Sequence, residues 1–430
     1  MNSKPRIAVL GAGIMGSCAA LLLAHRGCRV TLIDAAPEPV ARASRWNEGK
    51  IHLGYLYAAD PSLHTARHVL SGSLAFRPLL EQCTGSSIAS LMTAGDDIYL
   101  CHRESVVSAD EQWRYLQAVD ALVRAHPGAG DYLVDVRNAH SEPLSPAQLA
   151  SLSGSPDIVA GFRTPERSVS TIRVAALLQR ALRAEPAITL ALDTRVTGIS
   201  SQGGEHRGPW AVATAAGDFH GFDVVVNALW EGKLALDRTL GIGPPARFSH
   251  RYRRALFIRT TVPLAIPSAL ISTGPFGDLK NFGDRDFYLS WYPGGLAAYG
   301  TDVDPPPVAG LDEQATAQLI GAVFDNLGRY LPAVQRIRDH IESVHVDGGW
   351  VYAAGQGQLA DPQSSLHQRT DFGIEQHGRY FSIDTGKYCT APWLAERLAV
   401  RICEESVCKG RLYYRRGQTK TAVGPCGHVS

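Results

Sequence analysis

A glycine-rich turn near the start of the chain is the feature that most constrains the fold. The apolar run Ile7 to Leu10 has the length of a β-strand, and the turn joins it to the Ala- and Leu-rich run Ser17 to Arg26. Its glycines have Gly-x-Gly-x-x-Gly spacing, which leaves backbone amides free at the positive end of a helix dipole. The sequence therefore predicts a Rossmann-like unit that binds a dinucleotide pyrophosphate through Gly11, Ala12, Gly13, Ile14, Met15 and Gly16.

An acidic residue follows the second predicted strand, Arg29 to Ile33. Asp34 stands about twenty residues beyond the glycines, where a carboxylate can accept hydrogen bonds from an adenosine ribose. A carboxylate there repels a phosphorylated ribose, so NADP is disfavoured. A Rossmann-like fold that binds no cofactor stays open as the alternative.

Length, charge and cysteine content narrow the class of protein. A chain of 430 residues predicts two or three lobes, and a net charge of +1 indicates no general attraction to nucleic acid or anionic membranes. The first strand begins at Ile7 and no apolar run is long enough for a membrane span, so we expect a cytoplasmic protein without a signal peptide. The eight cysteines lack Cys-x-x-Cys spacing, which predicts reduced thiols and no metal site.

The hydrophobic pattern predicts elements along the rest of the chain. Helical spacing covers residues 61–82, 110–126, 144–152, 171–184, 312–331 and 391–403. Strands are predicted at 97–102, in 188–199, and as a hairpin at 210–215 and 219–228, with a loop over 162–170. The block 248–302 is rich in aromatic residues and turn signals and predicts an antiparallel second lobe. The basic tail after residue 404 lacks core periodicity and predicts a solvated cap or a homodimer contact.

Three segments together resemble the FAD-dependent oxidoreductases of the D-amino-acid oxidase (DAO) superfamily. They are the glycine turn, the strand V-V-V-N-A at 224–228 and the run S-I-D-T-G-K-Y-C-T-A-P-W at 382–393. The resemblance implies an α/β fold with a Rossmann-like FAD-binding domain of the glutathione-reductase type and a second, antiparallel-sheet substrate domain. We assign 1–60, 150–235 and 345–405 to the FAD-binding domain, 61–149 and 236–344 to the substrate domain, and 406–430 to a tail.

The resemblance also implies which residues contact the flavin. In the family, a glycine-rich loop before the last helix approaches the flavin ring. Gly386, Thr390 and Pro392 match that loop loosely, with Gly386-Lys387-Tyr388 where the usual run is glycine-histidine-glycine. The segment Ser44 to Tyr57 is similar to the L-2-hydroxyglutarate dehydrogenase branch. The further implied FAD contacts are Asp34, Ala35, Ser44, Arg45, Asn47, Glu48, Gly49, Lys50, Ile51, Val196, Ala228, Leu229, Trp230, Asp384, Thr385, Gly386, Lys387, Tyr388 and Thr390.

Candidate catalytic and substrate-binding residues each have a structural alternative. An ammonium at Lys387 or Lys50 would stabilise reduced flavin, unless these are surface lysines. His52 would orient the substrate or take its proton, or be a packed core histidine. Tyr55 and Tyr288 would bind an anionic substrate through their hydroxyls, or would only pack in the core. Arg285 or Lys280 would bind the same anion through its charge, or would only be solvated at a hairpin tip.

The implied reaction is dehydrogenation of a small substrate by hydride transfer to flavin N5, with oxygen or another acceptor taking the electrons. The resemblance to the superfamily favours a C–N bond in an amine or amino acid, which is the substrate class we expect. The Ser44 to Tyr57 segment favours the C–O bond of a 2-hydroxy acid, which is the alternative. Two functions outside the flavoenzymes also stay open as alternatives: an NAD-dependent dehydrogenase and a non-catalytic dinucleotide-binding protein.

Overall fold

Two large sheets organise the chain. The computed structural model describes residues 4–202 and 208–417, with side chains up to Glu405. The strands are β1 (Arg6–Leu10), β2 (Arg29–Ile33), β3 (Lys50–Ile51), β4 (Asp97–His102), β5 (Glu142–Pro143), β6 (Ile158–Thr164), β7 (Arg167–Ser168), β8 (Ile188–Ala191), β9 (Val196–Ser201), β10 (Trp210–Thr214), β11 (Phe219–Phe222), β12 (Val224–Asn227), β13 (Ser249–Thr260), β14 (Ala269–Ser272), β15 (Gly277–Phe282), β16 (Asp286–Trp291), β17 (Leu296–Gly300), β18 (Ile341–Ala353), β19 (Gly373–His377) and β20 (Tyr380–Asp384). The helices are α1 (Ile14–His25), α2 (His64–Leu74), α3 (Phe76–Thr84), α4 (Ala109–Ala125), α5 (Pro146–Leu152), α6 (Thr171–Ala184), α7 (Lys233–Thr239), α8 (Tyr292–Gly295), α9 (Glu313–Gly328), α10 (Val334–Asp339) and α11 (Ala391–Gly417).

The first sheet has six strands from remote parts of the chain, in the order β19-β20-β12-β1-β2-β8. Strands β20, β12, β1, β2 and β8 run parallel, and β19 pairs antiparallel with β20 at one edge. Leu10 at the end of β1 pairs with Asn227 of β12 and with Ile33 of β2. The carboxyl ends of these strands therefore meet at one edge of the sheet, where ligands bind in folds of this kind.

Helix α1 is enclosed on all sides, because it packs on β2 and is covered by α6 and α11. Every residue from Ile14 to Ala24 is buried, which explains why this helix has no polar face. The mostly apolar, parallel core of this sheet agrees with the predicted Rossmann-like unit.

The second sheet has nine strands, in the order β17-β13-β16-β15-β14-β4-β6-β5, with β18 also paired to β13. The longest pairing joins β13 to β18 from Ser249–Ala353 to Thr260–Ile341. Helices α9 and α10 pack on this sheet through buried residues such as Phe324, Leu327 and Ile337. A small ladder of β3 with β7 ties residues 50–51 to 167–168, and β9, β10 and β11 form a separate three-stranded sheet.

Two predicted elements are divided in the structure. The predicted helix 61–82 is two helices, α2 and α3, and Pro78 lacks the N–H that a continuous helix would donate to Leu74. The predicted strand 219–228 is likewise two strands, β11 and β12, in different sheets. The chain changes sheets at Asp223, whose carboxylate accepts a hydrogen bond from the backbone N–H of Arg6 at 2.8 Å.

Other boundaries also differ. The predicted loop 162–170 mostly extends strand β6 and forms β7. The second lobe is not purely antiparallel, because β14 pairs in parallel with β4. Helix α11 continues to Gly417 rather than ending at Cys403, and residues 418–430 of the predicted tail lie outside the described residues.

The proposed division into domains stays a prediction, although strand membership bears on its boundaries. Strand β6 and all of β18 are hydrogen-bonded into the nine-stranded sheet, whereas the predicted boundaries placed β6 and most of β18 with the FAD-binding part. Sheet pairing of this kind cannot be read from sequence spacing, because β6 and β18 pair with strands far away in the chain.

Candidate active site

A cavity of about 510 Å³ lies at the carboxyl ends of β1, β2, β12 and β20. The chain segments that follow these four strands form much of its wall, and they comprise residues 11–15, 34–36, 228–232 and 385–388. Residues 40–44 and 194–197 complete this part of the wall. The position is that expected for a dinucleotide in a doubly wound sheet.

The glycine turn allows a close backbone approach at this cavity. Gly11 has φ +97°, and a Cβ there would lie 2.5 Å from the carbonyl oxygen of Ala228. A Cβ on Gly16 would lie 1.8 Å from the carbonyl oxygen of Gly11. Helix α1 begins after Gly13, which brings no capping side chain, and its first turn has no acidic residue. The turn therefore suits an anionic pyrophosphate at the helix start.

Two polar side chains hold the turn in place. The Asp34 carboxylate accepts hydrogen bonds from the backbone N–H groups of Ala12 at 2.6 Å and Ala36 at 2.8 Å. The hydroxyl of Ser44 accepts a hydrogen bond from the N–H of Ile14 at 3.0 Å. Asp34 thus shapes the glycine turn, and its predicted contact with a ribose stays a prediction.

Another part of the wall carries positive charge. Lys387 and Arg369 both line the cavity, and neither has a carboxylate within 4.0 Å among the residues that the structure describes. Burial, with the nearby charge of Arg369, lowers the pKa of Lys387 to about 8. Burial and the charge of Arg251 lower the pKa of Arg369 to about 10, and Arg369 Nη1 has no hydrogen-bond partner in the described part of the protein. These unpaired cations suit an anionic ligand.

His52 also lines the cavity and is only 2% exposed. Burial is the main reason why its pKa lies well below its ordinary value, and the charges of Lys387, Lys50, Lys280 and Arg369 act in the same direction. Its Nδ1 has no hydrogen-bond partner within the described part of the chain. A neutral imidazole with a free nitrogen can accept a proton or orient a ligand.

Comparison with known sequences decides the family. The family model of the DAO FAD-dependent oxidoreductases matches residues 6–360. The chain belongs to the DAO family. It is an FAD-dependent oxidoreductase, and the alternatives of an NAD-dependent dehydrogenase and a non-catalytic dinucleotide-binding protein are set aside.

Solved structures share the fold of this DAO-family chain at low sequence identity. Glycine oxidase from Geobacillus kaustophilus is 16% identical, with a TM-score of 0.63 and with 93% of this chain and 94% of that chain covered. L-proline dehydrogenase from P. horikoshii is 15% identical, with a TM-score of 0.62 and coverage of 94% and 95%. L-α-glycerophosphate oxidase from Mycoplasma pneumoniae, solved with FAD bound, is 15% identical, with a TM-score of 0.61 and coverage of 93% and 94%. No curated protein sequence matches the chain significantly.

The cavity wall fits the FAD that this family uses. The bare glycine turn would hold the pyrophosphate, and the segments after β12 and β20 would enclose other parts of the cofactor. Trp230 has a left-handed backbone at φ 55°, and its indole N–H donates to the carbonyl of Trp350 at 2.7 Å. Because both tryptophans line the cavity, this bond joins its two sides.

In the described part of the chain, no helix has the length and apolar character needed to cross a bilayer.

A buried ionic network lies behind one wall of the cavity. Lys50 lines the cavity, but its ammonium donates to Asp97 at 2.5 Å and to Glu166 at 3.2 Å. Lys280 donates to the same Asp97 oxygen at 2.7 Å, and Tyr99 donates to Glu166. The two carboxylates raise the pKa of Lys50 despite its burial, whereas burial lowers that of Lys280. The ammonium of Lys50 is therefore already engaged with the protein.

Most predicted FAD contacts do line the cavity. These are Gly11, Ala12, Gly13, Ile14, Met15, Asp34, Ala35, Ser44, Asn47, Glu48, Lys50, Val196, Ala228, Leu229, Trp230, Thr385, Gly386, Lys387 and Tyr388. Of the predicted contacts in the described chain, six are not lining residues, namely Gly16, Arg45, Gly49, Ile51, Asp384 and Thr390. Several of them support the cavity wall: the Asp384 carboxylate, for example, accepts the N–H of Gly386 at 2.8 Å.

The structure places four predicted substrate or catalytic residues away from the cavity wall. Tyr55 is fully buried and donates to Asp120 at 2.7 Å. Tyr288 is buried in β16, with its ring packed edge-on against Phe257. Arg285 lies at a hairpin tip and pairs with Glu342 at 2.7 Å. Lys280 is held by Asp97, so each predicted side chain already has a protein partner or a packing role.

Sequence reasoning missed several lining residues, including Arg369, Arg195, Glu231, Trp350 and Val351. Arg369 is the most consequential, because it is a buried cation with an unpartnered donor. It lies between a short 3₁₀ helix and β19, where no hydrophobic period or motif marks it. The only available signal was the proximity of this segment to the predicted flavin loop in the sequence.

Proposed function

We propose that the enzyme dehydrogenates the C–N bond of a small amine that carries a carboxylate, such as an amino acid. The observation that carries this proposal is the pair of unpaired cations, Arg369 and Lys387, on the wall of the FAD cavity. An uncompensated buried charge is costly, and a bound carboxylate would remove that cost. Arginine is well suited to hold such a carboxylate through paired hydrogen bonds.

The same positive charges favour the reactive form of an amine. An ammonium group bound near Lys387 and Arg369 would have a lowered pKa, because like charges disfavour protonation. The bound substrate would therefore be held as a neutral amine, whose lone pair assists departure of a hydride from the adjacent carbon. The same charges also lower the pKa of a hydroxyl, but from a much higher ordinary value, so a hydroxyl substrate would keep its proton near neutral pH.

His52 is the proposed acceptor of the proton that the substrate ammonium loses before the hydride departs. His52 lines the cavity, and its imidazole is neutral at physiological pH. Its Nδ1 has no hydrogen-bond partner among the described residues. Bound FAD supplies the acceptor for the hydride at flavin N5. The protein then has to orient the substrate, take one proton and exclude water, which are the tasks proposed for Arg369, His52 and the enclosing wall.

The names of similar structures support amine chemistry without fixing the substrate. Glycine oxidase and L-proline dehydrogenase are named for amino acids, and L-α-glycerophosphate oxidase is named for a substrate of another kind. This last likeness, with the resemblance of Ser44 to Tyr57 to a 2-hydroxy acid dehydrogenase, favours C–O oxidation as the second candidate. The electron acceptor, a cytoplasmic location and a homodimer stay predictions.

Anaerobic reduction of the yellow holoenzyme tests the proposal. We expect one or more members of a panel of amino acids and N-methyl amines to bleach the flavin absorbance, and 2-hydroxy acids and amino sugars to be much slower. Arg369→Met should raise the amine concentration for half-maximal bleaching roughly 100-fold, consistent with loss of a charged, buried contact. Arg103→Met, an exposed arginine paired with Asp157, is the matched control. Bleaching by 2-hydroxy acids alone would replace the proposal with its alternative.

A further inference from the structure

The positive charge near the cavity extends beyond the two residues that one carboxylate needs. Arg251 and Arg253 lie two residues apart on β13 and therefore project from the same face of the sheet. Arg251 Nη1 donates to the hydroxyl of Tyr292 at 3.3 Å, and the guanidinium of Arg253 lies 4.3 Å from the centre of the same ring. The two guanidinium groups are thus held side by side by Tyr292.

This face of β13 lies next to the cavity, although Arg251 and Arg253 are not themselves lining residues, and the charge of Arg251 acts on both Arg369 and Lys387. Arg251 pairs across the ladder with Val351, which lines the cavity, and Arg253 pairs with Gly349. A Cβ on Gly349 would lie 2.4 Å from the Cα of Ala43, another lining residue. The loop that contains Ala43 therefore packs directly on the β13–β18 face.

These arginines lack ionic partners within the described residues. Within residues 4–202 and 208–405, no carboxylate lies within 4.0 Å of Arg251, Arg253, Arg369 or Lys387. Arg251 is 4% exposed and Arg369 is 9% exposed. Within the same ranges, Arg251 Nε, Arg253 Nε and Arg369 Nη1 have no hydrogen-bond partner. Arg253 Nη2 donates to the hydroxyl of Ser290 at 3.3 Å, and that hydroxyl donates to Asp278, so the serine links Arg253 to a carboxylate. Asp384 accepts from Gly386, and Glu48 lines the cavity and acts on Lys387 only from beyond 4.0 Å.

Each of the three guanidinium groups keeps one unpartnered donor within the described residues, and two of the groups are buried, which favours more than one ligand anion. One carboxylate can accept hydrogen bonds from Arg369 and Lys387 together, and the proposed function already assigns the substrate carboxylate to this pair. It cannot also satisfy both arginines at Tyr292, because a carboxylate accepts one bidentate arginine and few further donors. The pyrophosphate of FAD is accounted for by the glycine turn, at the start of α1.

We propose that the substrate carries two anionic groups, one held by Arg369 and Lys387 and the other by Arg251 and Arg253. The substrate class is a small amine with two carboxylates, or with one carboxylate and one other anionic group. This inference rests on the proposed function in taking the Lys387 part of the cavity as the substrate site. Arg251 and Arg253 thereby become specificity-determining residues.

Inert dicarboxylates test the inference on the holoenzyme without knowledge of the substrate. Malonate is compared with propionate, and succinate with butyrate, at constant ionic strength, through their perturbation of the flavin visible spectrum. We expect each dicarboxylate to bind at least tenfold more tightly than the monocarboxylate of equal carbon number, roughly the gain from a further charged contact. Equal affinities in both pairs would overturn the inference.

Variants locate the second anion site. Arg251→Met should remove the preference for dicarboxylates and change monocarboxylate affinity less than about threefold, whereas Arg251→Lys should keep part of the preference. Arg259→Met is the matched control on the same strand, since Arg259 is half-exposed and paired with Asp286. If Arg251→Met does not fold, Arg253→Met and the wild-type ratios still decide the question. Retention of the full preference in both methionine variants would contradict the assignment.

The two proposals fail in different ways. If dicarboxylates bind selectively but no amine bleaches the flavin, the second anion site stands and the amine reaction is wrong. If amines with one carboxylate bleach the flavin as efficiently as aspartate or glutamate, and dicarboxylates show no preference, the amine reaction stands and the second anion site is wrong.

Discussion

Lys280 Nζ lies 2.7 Å from Asp97 Oδ2, and both side chains are fully buried. Lys50 reaches the same oxygen at 2.5 Å, so two ammonium groups from different sheets share one carboxylate atom. Glu166 balances the second ammonium and also accepts the backbone N–H of Leu53 at 2.6 Å. The network thus fixes the segment Lys50 to Leu53, which carries His52 at the cavity.

The first prediction concerns this network. Asp97→Asn leaves two buried ammonium groups with a single carboxylate, and we expect the free energy of unfolding to fall by about 3–5 kcal/mol. Lys280→Met alone leaves Asp97 paired with Lys50 and should cost less. In the double variant, Lys50 and Glu166 form a neutral pair, so the total loss should be smaller than the sum of the two single losses by about 1–3 kcal/mol.

Denaturant unfolding followed by tryptophan fluorescence, with FAD present in excess, measures these losses. Lys4→Met is a matched control, because Lys4 is exposed near the start of the chain. Strict additivity of the Asp97 and Lys280 losses would show that the two side chains act independently.

The second prediction separates backbone strain from close approach at the glycine turn. Gly11 and Gly27 both have positive φ, at +97° and +86°, but only Gly11 has atoms within 4 Å of an added Cβ. Gly11→Ala should abolish FAD retention, because the new methyl group would collide with Ala228. Gly27→Ala should lower stability by about 1 kcal/mol and keep FAD bound. The ratio of flavin absorbance to protein absorbance after gel filtration gives the result, and equal retention by the two variants would contradict it.

The contrast between the glycine turn and Arg369 shows what sequence can predict in this protein. The turn is a contiguous piece of chain, so its spacing alone indicates a strand, a tight bend and a helix start. Arg369 comes near Arg251 only because β13 pairs with β18 and a loop before β19 returns to the cavity. Pairing between distant segments leaves no local period, and these residues could not be found without the structure.

The same reasoning explains why some predicted roles differ from the observed positions. Lys280 and Arg285 both lie near a charged hairpin tip in the sequence, which suggested an exposed anion clamp. Lys280 instead lies within β15, which is buried on both faces at this point, and its ammonium meets Asp97 of β4. Arg285 lies in the turn between β15 and β16, where it stays partly exposed and pairs with Glu342. One residue belongs to the strand and the other to the turn, a boundary that composition does not carry.

The third prediction concerns pH. Lys387 has a pKa of about 8, lowered chiefly by burial, so it is charged below pH 8 and neutral above it. Acetate binding to the holoenzyme should therefore weaken as the pH rises through about 8, up to tenfold for each further pH unit if the charge is essential. A bound anion raises the pKa of Lys387, so binding should be accompanied by proton uptake near pH 8. Lys387→Met should bind acetate weakly at every pH and lose this inflection, and an unchanged inflection in that variant would assign the titration to another group.

The fourth prediction concerns His52 as the proton acceptor. Its pKa lies well below the usual value for histidine because of burial and four neighbouring cations, so it stays neutral across the physiological range. The rate of anaerobic flavin reduction by an amine substrate should then show no inflection near pH 6.5. His52→Gln keeps a polar group of similar size but cannot take a proton, and the rate should fall roughly 100- to 10,000-fold. His64→Gln, at an exposed histidine at the start of α2, should leave it unchanged. A fall in the saturating rate with unchanged half-saturation would mark a role in proton transfer, whereas a change in half-saturation alone would mean that His52 only orients the substrate.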